Sequence, residues 1–88
     1  MANSVAVQFQ KAFESISAIE ESLAPDVMLK LYAFYKQASL GDQATLPKNP
    51  NVRDAFKLNA WSQLEGMSKE QAMKEYIQLA QSIITNTI

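Results

Sequence analysis

The chain of 88 residues contains neither cysteine nor histidine. The first absence removes disulfides, thiolate metal sites and a thiol nucleophile, and leaves the redox compartment unread. The second removes the usual general base, the commonest transition-metal ligand and every Ser-His-Asp arrangement. The serines therefore lack an activating partner, and the carboxylates are scattered over polar helix faces with no spacing that pairs them. No catalytic residue and no metal ligand is assigned, and the chain reads as a non-enzyme. Glycine is scarce, with two in the chain, and 48% of the residues are apolar, which is the composition of a folded domain rather than a disordered segment. Basic excess is missing as well. Eight Lys and Arg against nine Asp and Glu leave a net charge of −1, and a general nucleic-acid binder needs clustered positive charge to drive counterion release. Any anion site must be local. No apolar run reaches the ~20 residues of a membrane span, Lys30 breaking the best candidate. The N-terminal Met-Ala-Asn-Ser-Val-Ala-Val-Gln lacks the basic start and apolar core of a secretory signal. One domain covering residues 1–88, with no integral membrane segment and a cytoplasmic location, is the expectation.

What is present is helical periodicity. Val5, Phe9, Ala12, Phe13, Ile16 and Ile19 recur at helical spacing from about Ser4 to Glu21, with Asn3 or Ser4 as the N-cap. Gln8, Lys11, Ser15 and Glu21 on the other side read as solvated surface. Ser22 to Asp26 is a break, where Pro25 suits the first turn of a second helix and Asp26 opposes its dipole favourably. That helix runs to about Leu40, and Gly41 closes it in a left-handed conformation. Residues 41–51 hold two prolines, a glycine and two asparagines without periodicity, and form the longest loop. A third helix from Val52 to Glu65 places Val52, Phe56, Ala60 and Leu64 on one stripe with Trp61 beside it, and Gly66 ends it. Ser68-Lys69-Glu70-Gln71 has the capping-box pattern and opens a fourth helix, whose buried face is Met73, Tyr76, Ile77, Ala80, Ile83 and Ile84. No strand pattern occurs, so the fold class is all-α, a small four-helix bundle.

The second helix has two working faces. Val27, Leu31, Phe34 and Ala38 form an ordinary core stripe, and Met28, Tyr32, Tyr35, Lys36 and Ser39 form the neighbouring one. The latter puts two phenols and an amine on surface that would otherwise be buried. Tyrosine suits a place with one dry and one wet end, and lysine lays its stem on apolar surface while its charge stays hydrated. Arg53 and Lys57 likewise border the apolar stripe of the third helix. Such an arrangement suits a ligand with a greasy part and an anionic part. It also suits the rim of a core, or a surface that docks a partner helix, and periodicity leaves all three open.

Particular residues narrow this. Leu31-Tyr32, Tyr35-Lys36-Gln37-Ala38 running into Gly41-Asp42, Thr45 and Pro47, Lys57, Ala60-Trp61 with Leu64 and Gly66, Ser68-Lys69-Glu70, Ala72-Met73 and Tyr76-Ile77 follow in this order. From Phe9 to about Ile83 the chain resembles the acyl-CoA-binding proteins. The resemblance implies the four-helix fold of that family, with a surface bowl for the CoA head group and a groove between helices for the acyl chain. It implies that Tyr32, Lys36 and Lys57 meet the 3′-phosphate, that Tyr35 lies near the adenine and that Tyr76 closes the site. Arg53 occupies a basic position that contacts ligand, and Met28 and Leu29 join the ligand-binding set. The chain also departs from the family. Ser17 stands where a basic residue is frequent, Ala44 replaces an asparagine in a loop shortened by about one residue, Asp54 replaces a glycine and Leu58 a tryptophan, and the C-terminal lysines are missing. A less basic bowl follows.

The expected ligand is a medium- to long-chain fatty acyl-CoA, held non-covalently without any cofactor by a monomer that delivers it to acyl-CoA-using enzymes. The alternative is a helical protein-interaction module. Glu21-Ser22-Leu23 also resembles the Asp-Ser-Leu site of acyl carrier proteins, but those are strongly acidic and this chain is not.

Overall fold

The computed structural model describes residues 4–45 and 48–87. Asn3 and Pro47, named above as a cap and a motif residue, lie outside the described residues. The order of elements is α1 (Val5–Ser17), a 3-10 turn (Glu20–Ser22), α2 (Pro25–Leu40), α3 (Val52–Ser62) and α4 (Lys69–Thr87).

Ser4 caps α1, its Oγ accepting the Val7 N–H at 3.2 Å. The helix stops at Ser17, short of the expected Glu21, and the chain continues in tighter turns. Ile19 N–H donates to the Ile16 carbonyl at 3.0 Å, and Ser22 Oγ donates to the Ile19 carbonyl at 2.8 Å. Ile19 still packs against the core, so the apolar repeat carries on past the helix that it announced. Pro25 occupies the first turn of α2 with Asp26 beside it, and Gly41 closes that helix at φ 72°. A positive φ is cheap for glycine alone.

The capping boxes are exchanged relative to expectation. At α3 the pair is reciprocal, with Asp54 N–H donating to Asn51 Oδ1 at 2.8 Å and Asn51 N–H donating to Asp54 Oδ2 at 3.1 Å. At α4 only half of it forms. Ser68 Oγ accepts the Gln71 N–H at 3.0 Å, while the Gln71 amide donates to Glu75 at 2.8 Å. The side chain of Asp54 therefore has a structural task that a glycine there would leave undone.

Phe9 and Ile16 of α1, Leu31 and Ala38 of α2 and Ala72, Tyr76 and Ala80 of α4 make the core. The alanines let the helices approach closely, and Ala72 and Ala80 are wholly buried. α4 packs against both α1 and α2, and α3 packs on α2. The apolar stripe of α3 lies largely open: Val52 is 74% and Phe56 58% exposed, and Trp61 is the buried residue of the helix. A helix held against one neighbour needs only a narrow apolar seam.

That seam is fastened by hydrogen bonds. The Gln37 amide nitrogen donates to Asp42 Oδ1 at 2.7 Å and to the Met67 carbonyl at 2.8 Å. Its oxygen accepts the Trp61 indole N–H at 3.1 Å, and that N–H also reaches the Gly41 carbonyl at 3.1 Å. Asp42 then accepts the Gly66 N–H at 3.0 Å. Asp42 thus joins two segments and is more than the turn residue it resembles in sequence. The two bonds also hold its carboxyl below the usual value of 3.8, the Gln37 amide contributing most and the Gly66 N–H next.

Replacing Gln37, which is 1% exposed, by leucine strands the Met67 carbonyl and one acceptor site of Asp42. Denaturant unfolding of Gln37→Leu is expected to show a loss of about 1–3 kcal/mol; an unchanged midpoint would show that the network contributes nothing. Because the folded-state pKa of Asp42 is lowered, its contribution is present above the unfolded value and is lost as pH falls through the folded one. The fall in Tm between about pH 6 and about pH 3 should therefore be smaller for Asp42→Asn than for the parent chain. An equal fall in both would remove Asp42 from the acid response.

Candidate ligand-binding groove

α1, α2 and α3 enclose a groove of about 790 Å³. Its walls follow from the packing above. The C-terminal ends of α2 and α3 meet at Gln37 and Trp61, Tyr32 faces Lys57 in the middle, and Pro25 and Met28 share the groove with Val52 and Phe56 at the N-terminal ends. α2 and α3 therefore run in the same direction, and the long connection over residues 41–51 is what returns the chain to the starting end. Parallel neighbours require such a crossover, whereas antiparallel helices are joined by a short turn.

Every candidate ligand-binding residue named from sequence lines this groove: Met28, Leu29, Tyr32, Tyr35 and Lys36 from α2, Arg53 and Lys57 from α3, and Tyr76 from α4. Tyr32, Lys36 and Lys57 also border a second hollow of about 410 Å³, whose remaining wall includes Gln43, Thr45, Asp54 and Trp61. They stand where an apolar trough passes into a polar basin. The Lys57 ammonium lies 5.0 Å and the Lys36 ammonium 5.7 Å from the centre of the Tyr32 ring, and Lys36 is 5.9 Å from that of Trp61. These are cation–π distances. Among the described residues neither amine has a carboxylate within 4.0 Å, the pair at that range being Lys74 and Glu70. Two positive charges share one ring and leave their hydrogen-bond donors unclaimed by any acid, which is an arrangement that accepts an anion.

The floor is aromatic. The Tyr35 ring stacks on Phe13 at 4.8 Å and on Phe9 at 5.8 Å, each at an interplanar angle of 25°. Tyr76 meets Phe9 edge-on at 5.1 Å and lies 6.5 Å from Tyr35. Burial, with the neighbouring Tyr35 and Glu20 adding to it, pushes the Tyr76 hydroxyl up to about 12. Burial also raises Tyr32, and the negative charge of Asp54 adds to that. Both phenols stay neutral donors throughout the ordinary pH range.

Several lining residues are not found by reading the periodicity. Phe13 and Ile16 read as core and do pack there, and Val52 and Phe56 read as an apolar stripe of α3; all four also face the groove, with Ser17, Glu20 and Leu23. The pattern of Val52, Phe56 and Ala60 beside Arg53 and Lys57 did indicate an apolar surface with a basic border, but not that it stays open. Trp61 lines the polar basin that adjoins the groove and is 5% exposed. Among the described residues no group of three or more acidic side chains is placed to hold a metal ion, and no helix is long and apolar enough to cross a membrane.

The fold and the groove define a helical protein with an amphipathic, amine-bordered cleft, and comparisons with known proteins place the fold. The crystal structure of Oryza sativa acyl-CoA-binding protein 2 superposes with a TM-score of 0.86 at 29% identity, covering 96% of this chain and 94% of that one. The acyl-CoA-binding protein of Saccharomyces cerevisiae is 38% identical over 77 residues, 86% of this chain and 88% of its own length. That of Gossypium hirsutum is 39% identical over 71 residues, 80% of each chain. The family model for acyl-CoA-binding proteins matches residues 6–80, and the chain belongs to that family.

If Phe56 is a lip of the groove rather than core, Phe56→Ser should lower stability by less than about 1 kcal/mol, whereas Leu31→Ala, at a position 5% exposed, should cost about 2–5 kcal/mol. Thermal melts of the two variants check this; equal losses would place Phe56 inside.

Proposed function

We propose that this chain binds medium- to long-chain fatty acyl-CoA esters non-covalently. We propose further that it does so as a single-domain, monomeric, cytoplasmic carrier that takes no part in catalysis and passes its ligand to acyl-CoA-using enzymes. The observation that carries the reading is the junction at Tyr32, where the Lys36 and Lys57 ammoniums stand over one ring between an apolar groove and a polar basin. A phosphate of the head group is assigned to Tyr32, Lys36 and Lys57, with Arg53 a further cationic contact. Tyr35 and Tyr76 form the deep wall of the site. Met28 and Leu29, opposite Phe56, are the contacts offered to the alkyl chain.

Magnitudes support a division of labour. A charge-assisted hydrogen bond contributes about 1.5–3 kcal/mol, so the three phosphate contacts supply several kcal/mol. Each methylene taken from water adds about 0.8 kcal/mol. Nanomolar affinity needs about 12 kcal/mol after the losses of association, so neither half is sufficient alone. Ser17 in the α1 wall supplies no charge, and Glu20 beside it supplies the wrong one, so the head-group share is smaller than a basic residue on α1 would give.

Calorimetry with CoA, octanoyl-CoA and palmitoyl-CoA tests the reading. Affinity should rise with chain length, and Lys57→Ala should weaken each ester by about 1–3 kcal/mol. Equal affinity for the three compounds would remove the alkyl groove. No saturable heat with any of them would favour the protein-interaction module.

A further inference from the structure

Asp54 puts a carboxylate where the cleft receives its anion. It is the third residue of α3, three before Lys57, and it lines the polar basin together with Tyr32, Lys36 and Lys57. An acid and an amine at this spacing on a helix commonly pair, yet the Asp54 carboxylate and the Lys57 ammonium stand farther apart than 4.0 Å. The capping box is the reason. Asp54 Oδ2 accepts the Asn51 N–H at 3.1 Å, which turns the carboxylate back toward the start of the helix. It is held there partly buried, close enough to Tyr32 for its charge to add to burial in keeping that phenol protonated. The cap asks only for an acceptor, and an amide would serve. The charge acts in addition on whatever anion the two ammoniums receive.

We propose, resting on the acyl-CoA reading above, that Asp54 is a specificity-determining residue. Its fixed charge offsets part of the attraction that Lys36 and Lys57 exert on the 3′-phosphate, so the chain discriminates less between acyl esters of CoA and of 3′-dephospho-CoA than the two amines alone would make it. A phosphate monoester carries about −1.5 to −2 charges near pH 7, so it feels Asp54 strongly, whereas an uncharged alkyl chain is indifferent to it. Asp54 thereby shifts the weight of recognition from phosphate to hydrocarbon. Because the capping box keeps its carboxylate off the lysines, Asp54 weakens the hold on the anion without neutralising the amines that provide it.

Calorimetry with palmitoyl-CoA and palmitoyl-3′-dephospho-CoA tests this. In Asp54→Asn, whose side-chain oxygen can still accept the Asn51 N–H, the preference for the phosphorylated ester should rise about three- to tenfold over that of the parent chain, the size of a screened interaction between charges. The gain should fall away in about 1 M salt, where the screening length is about 3 Å. Asp54→Glu keeps both charge and cap and should keep the parent's preference. Glu65→Gln makes the same change of net charge at an exposed place outside both hollows and should leave the preference where it was. Thermal melts verify that the variants are folded, and Asp54→Gln, an amide that a capping box accepts at this position, gives the same reading if Asp54→Asn proves unstable. In a chain that binds palmitoyl-CoA, an unchanged preference in Asp54→Asn, or an equal rise in Asp54→Glu or Glu65→Gln, overturns this proposal alone. Failure of the parent chain to bind palmitoyl-CoA overturns the acyl-CoA reading itself.

Discussion

The Gln37 side chain holds the molecule in register. It is the buried polar residue among the described residues, and its nitrogen and oxygen together engage the indole of α3, the carboxylate after α2 and a carbonyl before α4. Each of those partners, if left unmatched inside the protein, costs on the order of 1–3 kcal/mol, so alternative placements of the three segments are disfavoured together. This matters most for α3. Trp61 is its buried residue, and apolar contact along so narrow a seam leaves a helix free to slide or roll. A directional bond from the indole does not. Fixing Trp61 fixes Lys57 one turn earlier and Arg53 two turns earlier, and so sets the width of the groove.

The groove is local in its electrostatics, as a chain of net charge −1 requires. Its positive potential comes from Lys36 and Lys57, brought over the Tyr32 ring and kept away from carboxylates. The ring gives the two amines a polarisable surface to rest on without neutralising them, so that their mutual repulsion is eased while both charges stay available to an arriving anion. Glu20 and Asp54 put negative charge at other edges of the cleft. The resulting field has direction, which serves to orient a ligand as well as to attract it.

The exposed apolar surface has the same logic. Met28, Val52 and Phe56 are large side chains that the fold leaves in water, at 40%, 74% and 58% exposure. Burying Val52 and Phe56 against Met28 and the rest of α2 would tighten the bundle and close the cleft. The Gln37 and Trp61 bond, at the opposite ends of the two helices, holds α3 against rolling. Stability that folding forgoes in this way is available to whatever hydrocarbon enters between the lips.

Much of this was legible in the residues. Helix existence follows from periodicity and from breakers such as Pro25, Gly41 and Gly66, and the pairing of phenols with amines on the second stripe of α2 marked the cleft. Three things were not. Gln37 reads as an ordinary polar residue of a motif, because nothing local reveals that an amide will have its partners supplied from 24 and 30 residues away. Val52 and Phe56 have the spacing of a core stripe, and spacing reports which residues share a face without reporting whether anything covers it. Phe13 belongs by pattern to a core, and it also lines the cleft that α2 and α3, running parallel, leave open beside α1. The sequence by itself determined which stretches coil, where they stop and which side chains travel together on a face, since these depend on residues within a turn or two of each other. Which faces are closed, which are held open, and which charges end up around one ring were decided by long-range hydrogen bonds and packing, and those exist only once the helices have met.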